Sequence, residues 1–150
     1  MKRSAGILLY KQKGGTLRVL LAHPGGPFWR NKDAGAWSIP KGEIGDDEKP
    51  LKAAIREFAE ETGVTLDGDF VALGEIKQKG GKTVIAFALE CDLDPSAIVS
   101  NTFEIEWPPR SGRRQTFPEI DRVAWFDLDT AREKINASQA ELIERLVERR

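Results

Sequence analysis

Glu57, Glu60 and Glu61 fall at i, i+3 and i+4 within the segment REFAEETG, residues 56 to 63. A helix stacks that spacing along one side, where like charges repel. Two carboxylates about 4 Å apart repel by about 4 kcal/mol at an effective dielectric near 20. Three of them call for a cation, for protonation, or for the neighbouring Arg56. As hard oxygen donors they suit Mg²⁺, with Mn²⁺ as the alternative. A single histidine, His23, and a single cysteine, Cys91, give no basis for a zinc site. Glu-x-x-Glu-Glu by itself is more often a solvated helix face. At about 100° per residue, however, these glutamates lie beside the apolar stripe of Leu51, Ala54, Ile55, Phe58 and Thr62, not opposite it.

The surrounding spacing decides between those meanings. Gly42, five residues, Glu48, seven residues, Arg56-Glu57, Phe58, any residue, Glu60-Glu61, any residue, Gly63 and Val64 follow in order. With each fixed type at roughly 7% frequency, chance agreement at all seven is on the order of one in a hundred million per starting point. The pattern resembles the signature of the Nudix hydrolases, G-x5-E-x7-R-E-U-x-E-E-x-G-U, with U bulky and apolar. The resemblance implies an α/β/α sandwich, a mixed β-sheet flanked by helices, as one domain over residues 1–150. It also implies hydrolysis of a nucleoside diphosphate linked to a further moiety, with water attacking phosphorus.

By that resemblance Glu57, Glu60 and Glu61 match the metal ligands of the helix, and Lys41 matches the residue whose backbone carbonyl is a further ligand. Arg56 matches the arginine that orients the glutamates by charge-assisted hydrogen bonds, and Glu48 is expected to brace the loop. Family members often recruit another acid a few residues before a Trp-containing strand. Glu119, six residues before Trp125, is taken as that acid, as an outer ligand or general base, with Glu104 and Glu106 as rivals.

The moiety beyond the diphosphate is not written in the box. Trp29 and Arg30, with Phe28 and Lys32, lie in the loop PGGPFWRNKDAG and offer stacking and phosphate contacts. Trp37 reads as sheet packing. Lys79 and Lys82 lie where the similar diadenosine tetraphosphate hydrolases carry a lysine near the phosphates. Arg110, Arg113 and Arg114 fall within five positions of one Pro/Arg loop and are candidates to clamp a polyphosphate tail. GPFW, GAWSIPKGE and EWPPRSGR also resemble bacterial predicted NTP pyrophosphohydrolases. The favoured substrate is a nucleoside polyphosphate, either a dinucleoside tetraphosphate or an NTP. Alternatives are an RNA 5′-pyrophosphohydrolase, an ADP-ribose-type nucleotide-sugar pyrophosphatase, and a non-catalytic nucleotide-binding module, which would be expected to lose box carboxylates.

The elements that must position these groups follow from periodicity and turn residues. AGILLYK and LRVLLAH around Gly14-Gly15 predict a hairpin, AWSIP a short strand ending at Pro40, and FVALGEIKQ with KTVIAFALEC a second hairpin. LKAAIREFAEET predicts a helix capped by Asp46 or Asp47, with Pro50 in its first turn and Gly63 as its left-handed stop. NTFEIEW alternates and then passes into the Pro/Arg loop, RVAWFDL is a strand, and a helix is expected from about Asp129 to Arg150.

Composition bounds the rest. A chain of 150 residues with 40% apolar and 31% charged content describes a globular domain, not a disordered one. A net charge of −1 supplies no global field for nucleic acid or membrane, so a long RNA partner is disfavoured. Cys91 alone makes no internal disulfide and reads as a buried structural thiol. The N-terminal apolar run is too short for a signal peptide, and no stretch approaches a membrane span. The expectation is a cytoplasmic monomer or homodimer acting on a small nucleotide.

Overall fold

The computed structural model describes residues 2–149. Strands β1 (Arg3–Lys13) and β2 (Thr16–Pro24) form the first hairpin, and β4 (Val71–Gln78) and β5 (Lys82–Glu90) form the second. The main sheet runs β4-β5-β1-β2-β8, with β8 spanning Ile120–Asp127. Pairing of β1 with β5 is parallel and the other pairings on this path are antiparallel, so the sheet is mixed as expected.

Alternation along β1 builds two cores at once. Ala5, Ile7 and Leu9 face a cluster with Ala53, Ala54 and Phe58 of helix α1 (Pro50–Thr62). Leu8, with Val19 and Leu21 of β2, faces the other cluster with Leu142, Ile143 and Leu146 of helix α3 (Ala140–Arg149) and Ala131 of helix α2 (Leu128–Lys134). A period of two sends successive apolar side chains to opposite sheet faces, and one helical layer covers each. The α/β/α arrangement is therefore the observed one.

The box enters where the first hairpin opens. β1 pairs with β2 only over Tyr10–Lys13, and its other end, Ser4–Gly6, pairs instead with β3 (Lys41–Glu43). Gly6 permits this approach, because a Cβ there would stand 2.7 Å from both the Pro40 oxygen and the Lys41 Cβ. Residues 37–43 are thus wedged between the splayed strands, and the amide of buried Ile39 donates to Gln139 Oε1 at 3.0 Å.

Four local expectations change. AWSIP forms only isolated bridges, Ala22 to Ser38 and Trp37 to Ile135, and regular pairing begins after Pro40, which has no N–H for a ladder. Lys49, not Asp46 or Asp47, is the N-cap of α1, with no side-chain cap. Pro50 at the first helical position removes one of the amides that a helix start leaves without an intrahelical partner. The Pro/Arg loop is the tip of a hairpin between β6 (Thr102–Glu106) and β7 (Arg114–Pro118), its turn tied by Glu106 accepting from the amides of Arg110 at 3.0 Å and Gly112 at 3.2 Å. The C-terminal helix is split in two. Ile135 turns extended, and Asn136 caps a 3₁₀ turn at Ala137–Gln139 by drawing the Ser138 amide onto its side chain. Gly63 ends α1 at φ 78°, as expected.

Candidate active site

Helix α1 presents the three glutamates at different depths. The Glu57 side chain is 15% exposed and that of Glu60 is 43% exposed. Arg56 binds them from the helix: Nη1 donates to Glu57 Oε1 at 2.9 Å and to Glu60 Oε1 at 3.2 Å. Its Nε and Nη2 donate to the two Glu48 oxygens at 2.8 and 2.9 Å, and Nη2 reaches the Glu43 carbonyl at 3.0 Å. This five-bond fork raises the guanidinium further above its ordinary range, Glu48 contributing most. In return Arg56, then the Gly45 amide, hold the Glu48 carboxyl down at about 2. Glu48 therefore braces the loop through Gly45, whose amide it accepts at 2.8 Å.

Glu61 has no such partner. Its Oε1 accepts the Lys41 amide at 3.3 Å. Burial first, then the Glu57 charge and, further down, Glu119, push it up to about 8 against the pull of that amide and the Lys41 charge. Glu57 is raised by burial, with Arg56 opposing, and burial lowers Lys41 against the pull of Glu61. Gly42 closes the back of the cluster, since a Cβ on it would lie 2.0 Å from the Glu57 carboxylate carbon. A half-buried group of acids, two of them raised by burial first and by neighbouring carboxylates second, has the donor chemistry of a hard dication site. Among the described residues, no three acids already converge as ligands, because Arg56 holds Glu57 and Glu60 while Glu61 sits on Lys41. The donor set fits Mg²⁺ in type.

Glu119, exposed in the bend just before β8, lines a pocket of about 220 Å³ together with Glu61, Lys41 and Ser38. Its backbone is fixed by bonds from the Gly25 amide and to the Asn101 carbonyl, both at 2.9 Å. Its rivals are elsewhere: Glu104 pairs with Arg114, and Glu106 ties the hairpin tip.

A larger cleft of about 640 Å³ adjoins, lined among others by Trp29, Lys41, Lys79, Lys82 and Gln78. Trp29, 38% exposed, carries the Lys32 ammonium 5.2 Å from its ring centre. Of the substrate candidates, Trp29 and Lys82 meet here, and Arg30 stays exposed outside the lining. Arg110 and Arg113 stand at the hairpin tip and do not line the cleft, because the tip is folded on Glu106. Trp37 is buried against His23 and Phe126, and Cys91 is half-buried at the edge of the α1-side core, where burial raises its thiol. Gln78, Asn136, Ser138 and Gln139 also line the cleft and escaped the sequence reading. The N-x-S step that caps a turn was the available signal.

The family model described as the NUDIX domain matches residues 1–146. The chain belongs to the Nudix family. Its sequence is 34% identical over 148 residues to an RNA pyrophosphohydrolase of Bartonella henselae, spanning 86% of this chain and 78% of that protein. It is 32% identical over 133 residues to a Myxococcus xanthus protein named Octanoyltransferase, covering 89% of this chain and 33% of the relative. The chain thus spans about a third of that longer relative's length. Among solved structures, a Caenorhabditis elegans Ap4A hydrolase aligns with a TM-score of 0.65 at 20% identity, over 99% of this chain and 96% of that one. The NUDIX domain of Shewanella oneidensis NrtR, solved with ADP ribose, aligns with a TM-score of 0.65 at 19% identity, over 97% and 86%. At these identities the structures share the Nudix fold. No described helix is long and apolar enough to cross a membrane.

Proposed function

We propose that this Nudix protein is a Mg²⁺-dependent pyrophosphohydrolase of nucleoside polyphosphates, with an NTP or a dinucleoside tetraphosphate as substrate, working in the cytoplasm. The observation that carries the reading is Lys41, which lines both the pocket holding Glu61 and Glu119 and the cleft rimmed by Lys79 and Lys82. Acids that suit a metal and cations that suit phosphate therefore share a wall. Glu57, Glu60 and Glu61, with the Lys41 carbonyl, would hold Mg²⁺. When bound, the ion neutralises phosphate charge and acidifies water.

The chain's own groups supply the rest. Lys79 and Lys82 bind the phosphate oxygens, and the Trp29 ring takes the nucleoside. Arg56 keeps Glu57 and Glu60 in one orientation through charge-assisted bonds. Glu119, aimed into the Glu61 pocket, accepts the proton of the water whose oxygen attacks phosphorus. The P–O bond of the anhydride breaks and the departing phosphate leaves with its electron pair. Phosphate release from a nucleotide panel with Mg²⁺, run in ¹⁸O-water, tests this and locates the attacked phosphorus. Turnover of no nucleotide, or full activity in Glu60→Gln, overturns it.

One observation favours a second reading. The Bartonella relative bears the name RNA pyrophosphohydrolase, and a 5′-triphosphate end presents the same anhydride. A net charge of −1 gives a long RNA little electrostatic support. Steep salt dependence of binding to triphosphorylated RNA would favour this second substrate.

A further inference from the structure

One wall of the large cleft is polar without being charged. Gln78 at the end of β4 and Asn136 and Ser138 of the turn between α2 and α3 form it. Ser138 Oγ donates to Asn136 Oδ1 at 2.7 Å, and with its single proton so engaged it accepts from Gln78 Nε2 at 2.6 Å. The Ser138 amide donates to the same Asn136 Oδ1 at 2.9 Å. Amide orientations follow from the bonds around them, and this chain of donors admits one solution. Asn136 spends its oxygen internally and keeps Nδ2 as a donor. Gln78 spends its nitrogen internally and keeps Oε1 as an acceptor. Among the described residues, the buried side-chain polar atom without a partner is Arg18 Nε, so neither of these free atoms is sealed from solvent.

A fixed acceptor and a fixed donor on one cleft wall complement a ligand edge that offers a donor beside an acceptor. Nucleobases carry such edges. Trp29 lines the same cleft with a ring on which a base stacks, and Lys41, Lys79 and Lys82 line it with charges for the phosphates. We propose that Gln78 and Asn136 read the base edge of the nucleotide, with Ser138 as the positioning residue that locks both amides. The inference rests on the reading of the chain as a nucleotide pyrophosphohydrolase, and it makes the enzyme selective among bases.

Isothermal titration of AMP, GMP, CMP and UMP without metal, with ribose 5-phosphate as the base-free control, tests the subsite apart from the reaction. Wild-type protein is expected to rank the four bases. Asn136→Asp keeps the oxygen that Ser138 uses and replaces the free donor by an acceptor. It should weaken the best-bound base about tenfold relative to the control and change the ranking. Ser138→Ala frees the Gln78 amide to turn over and should flatten the ranking, with ribose 5-phosphate binding unchanged. Equal binding of all four bases to wild type, or an unaltered ranking in both variants, overturns the inference. A ranking that these variants change supports the subsite even if no nucleotide is hydrolysed. Hydrolysis of all four NTPs at one KM, unmoved by Asn136→Asp, sinks the subsite and leaves the reaction standing.

Discussion

Glu61 is where fold and chemistry pull against each other. Its carboxyl is raised to about 8 from an ordinary 4.5, with burial the largest cause. The folded state therefore binds this proton more tightly than the unfolded chain does. Below about pH 4.5 the group is neutral in both states and costs nothing; as pH rises from there through about 8, metal-free stability falls. Glu61→Gln removes that loss. The variant should match wild type near pH 4 and exceed it at pH 8 by on the order of 1–3 kcal/mol, allowing for partial solvent screening. Thermal melts in EDTA across that range check it, and a constant difference at all pH values would sink the idea. The same variant should lose nucleotide turnover, so stability and activity move in opposite directions. The repulsion that adds to burial here was legible in the spacing of REFAEETG. Which of the three acids bears it was not, because Arg56 neutralises Glu57 and Glu60 in space while Glu61 turns to Lys41.

At the scale of elements, the site depends on how closely β3 lies against α1. Gly42 is the point of contact, with the place of its missing Cβ 2.0 Å from the Glu57 carboxylate. Gly42→Ala should drive Glu57 off Arg56, lowering kcat by about 10²-fold, the scale of a misplacement near 1 Å. Stability should fall by only about 1–3 kcal/mol, since a single contact is overpacked. Steady-state kinetics beside a urea melt separate the two, and wild-type turnover in the variant would refute the contact's importance. Helix α1 and both hairpins of the main sheet were readable, because their apolar periods and glycine turns are local. The β6–β7 hairpin was not: RQTFP carries no apolar alternation, and its pairing is held by Glu106 folding the tip. The position of Arg110 and Arg113 at the hairpin tip was hidden for the same reason, as a run of positive charge does not record where its loop is folded. The break between α2 and α3 likewise hides in an apolar period that Asn136 interrupts from its side chain.

Across the whole molecule, the cleft wall carrying Trp29 is held by a residue far from the box. His23 is fully buried on β2, and its two ring nitrogens span two other parts of the chain. Nδ1 meets the Asp121 carboxylate of β8 at 3.0 Å, and Nε2 meets the Lys32 carbonyl at 2.7 Å. Lys32 is bonded in turn through its amide to the Trp29 carbonyl at 3.0 Å. The imidazole also packs edge-on against Trp37, 5.1 Å between ring centres. One side chain thus joins the central sheet to the loop that carries Trp29 into the cleft, and the glutamates of α1 lie outside this linkage. His23→Ala leaves the Lys32 carbonyl and Asp121 short of a partner and opens a gap beside Trp37, a loss of about 2–4 kcal/mol. With the loop in the proposed role of holding the nucleoside, away from the reacting water, KM should rise several-fold while kcat changes by less than about threefold. His23→Gln fills part of the space and can still offer a polar atom to one of the two partners, so it should recover part of both losses. Kinetics on the two variants, with a urea melt for each, check the link. A drop confined to kcat, with KM at the wild-type value, would place His23 in the chemistry and not in the loop.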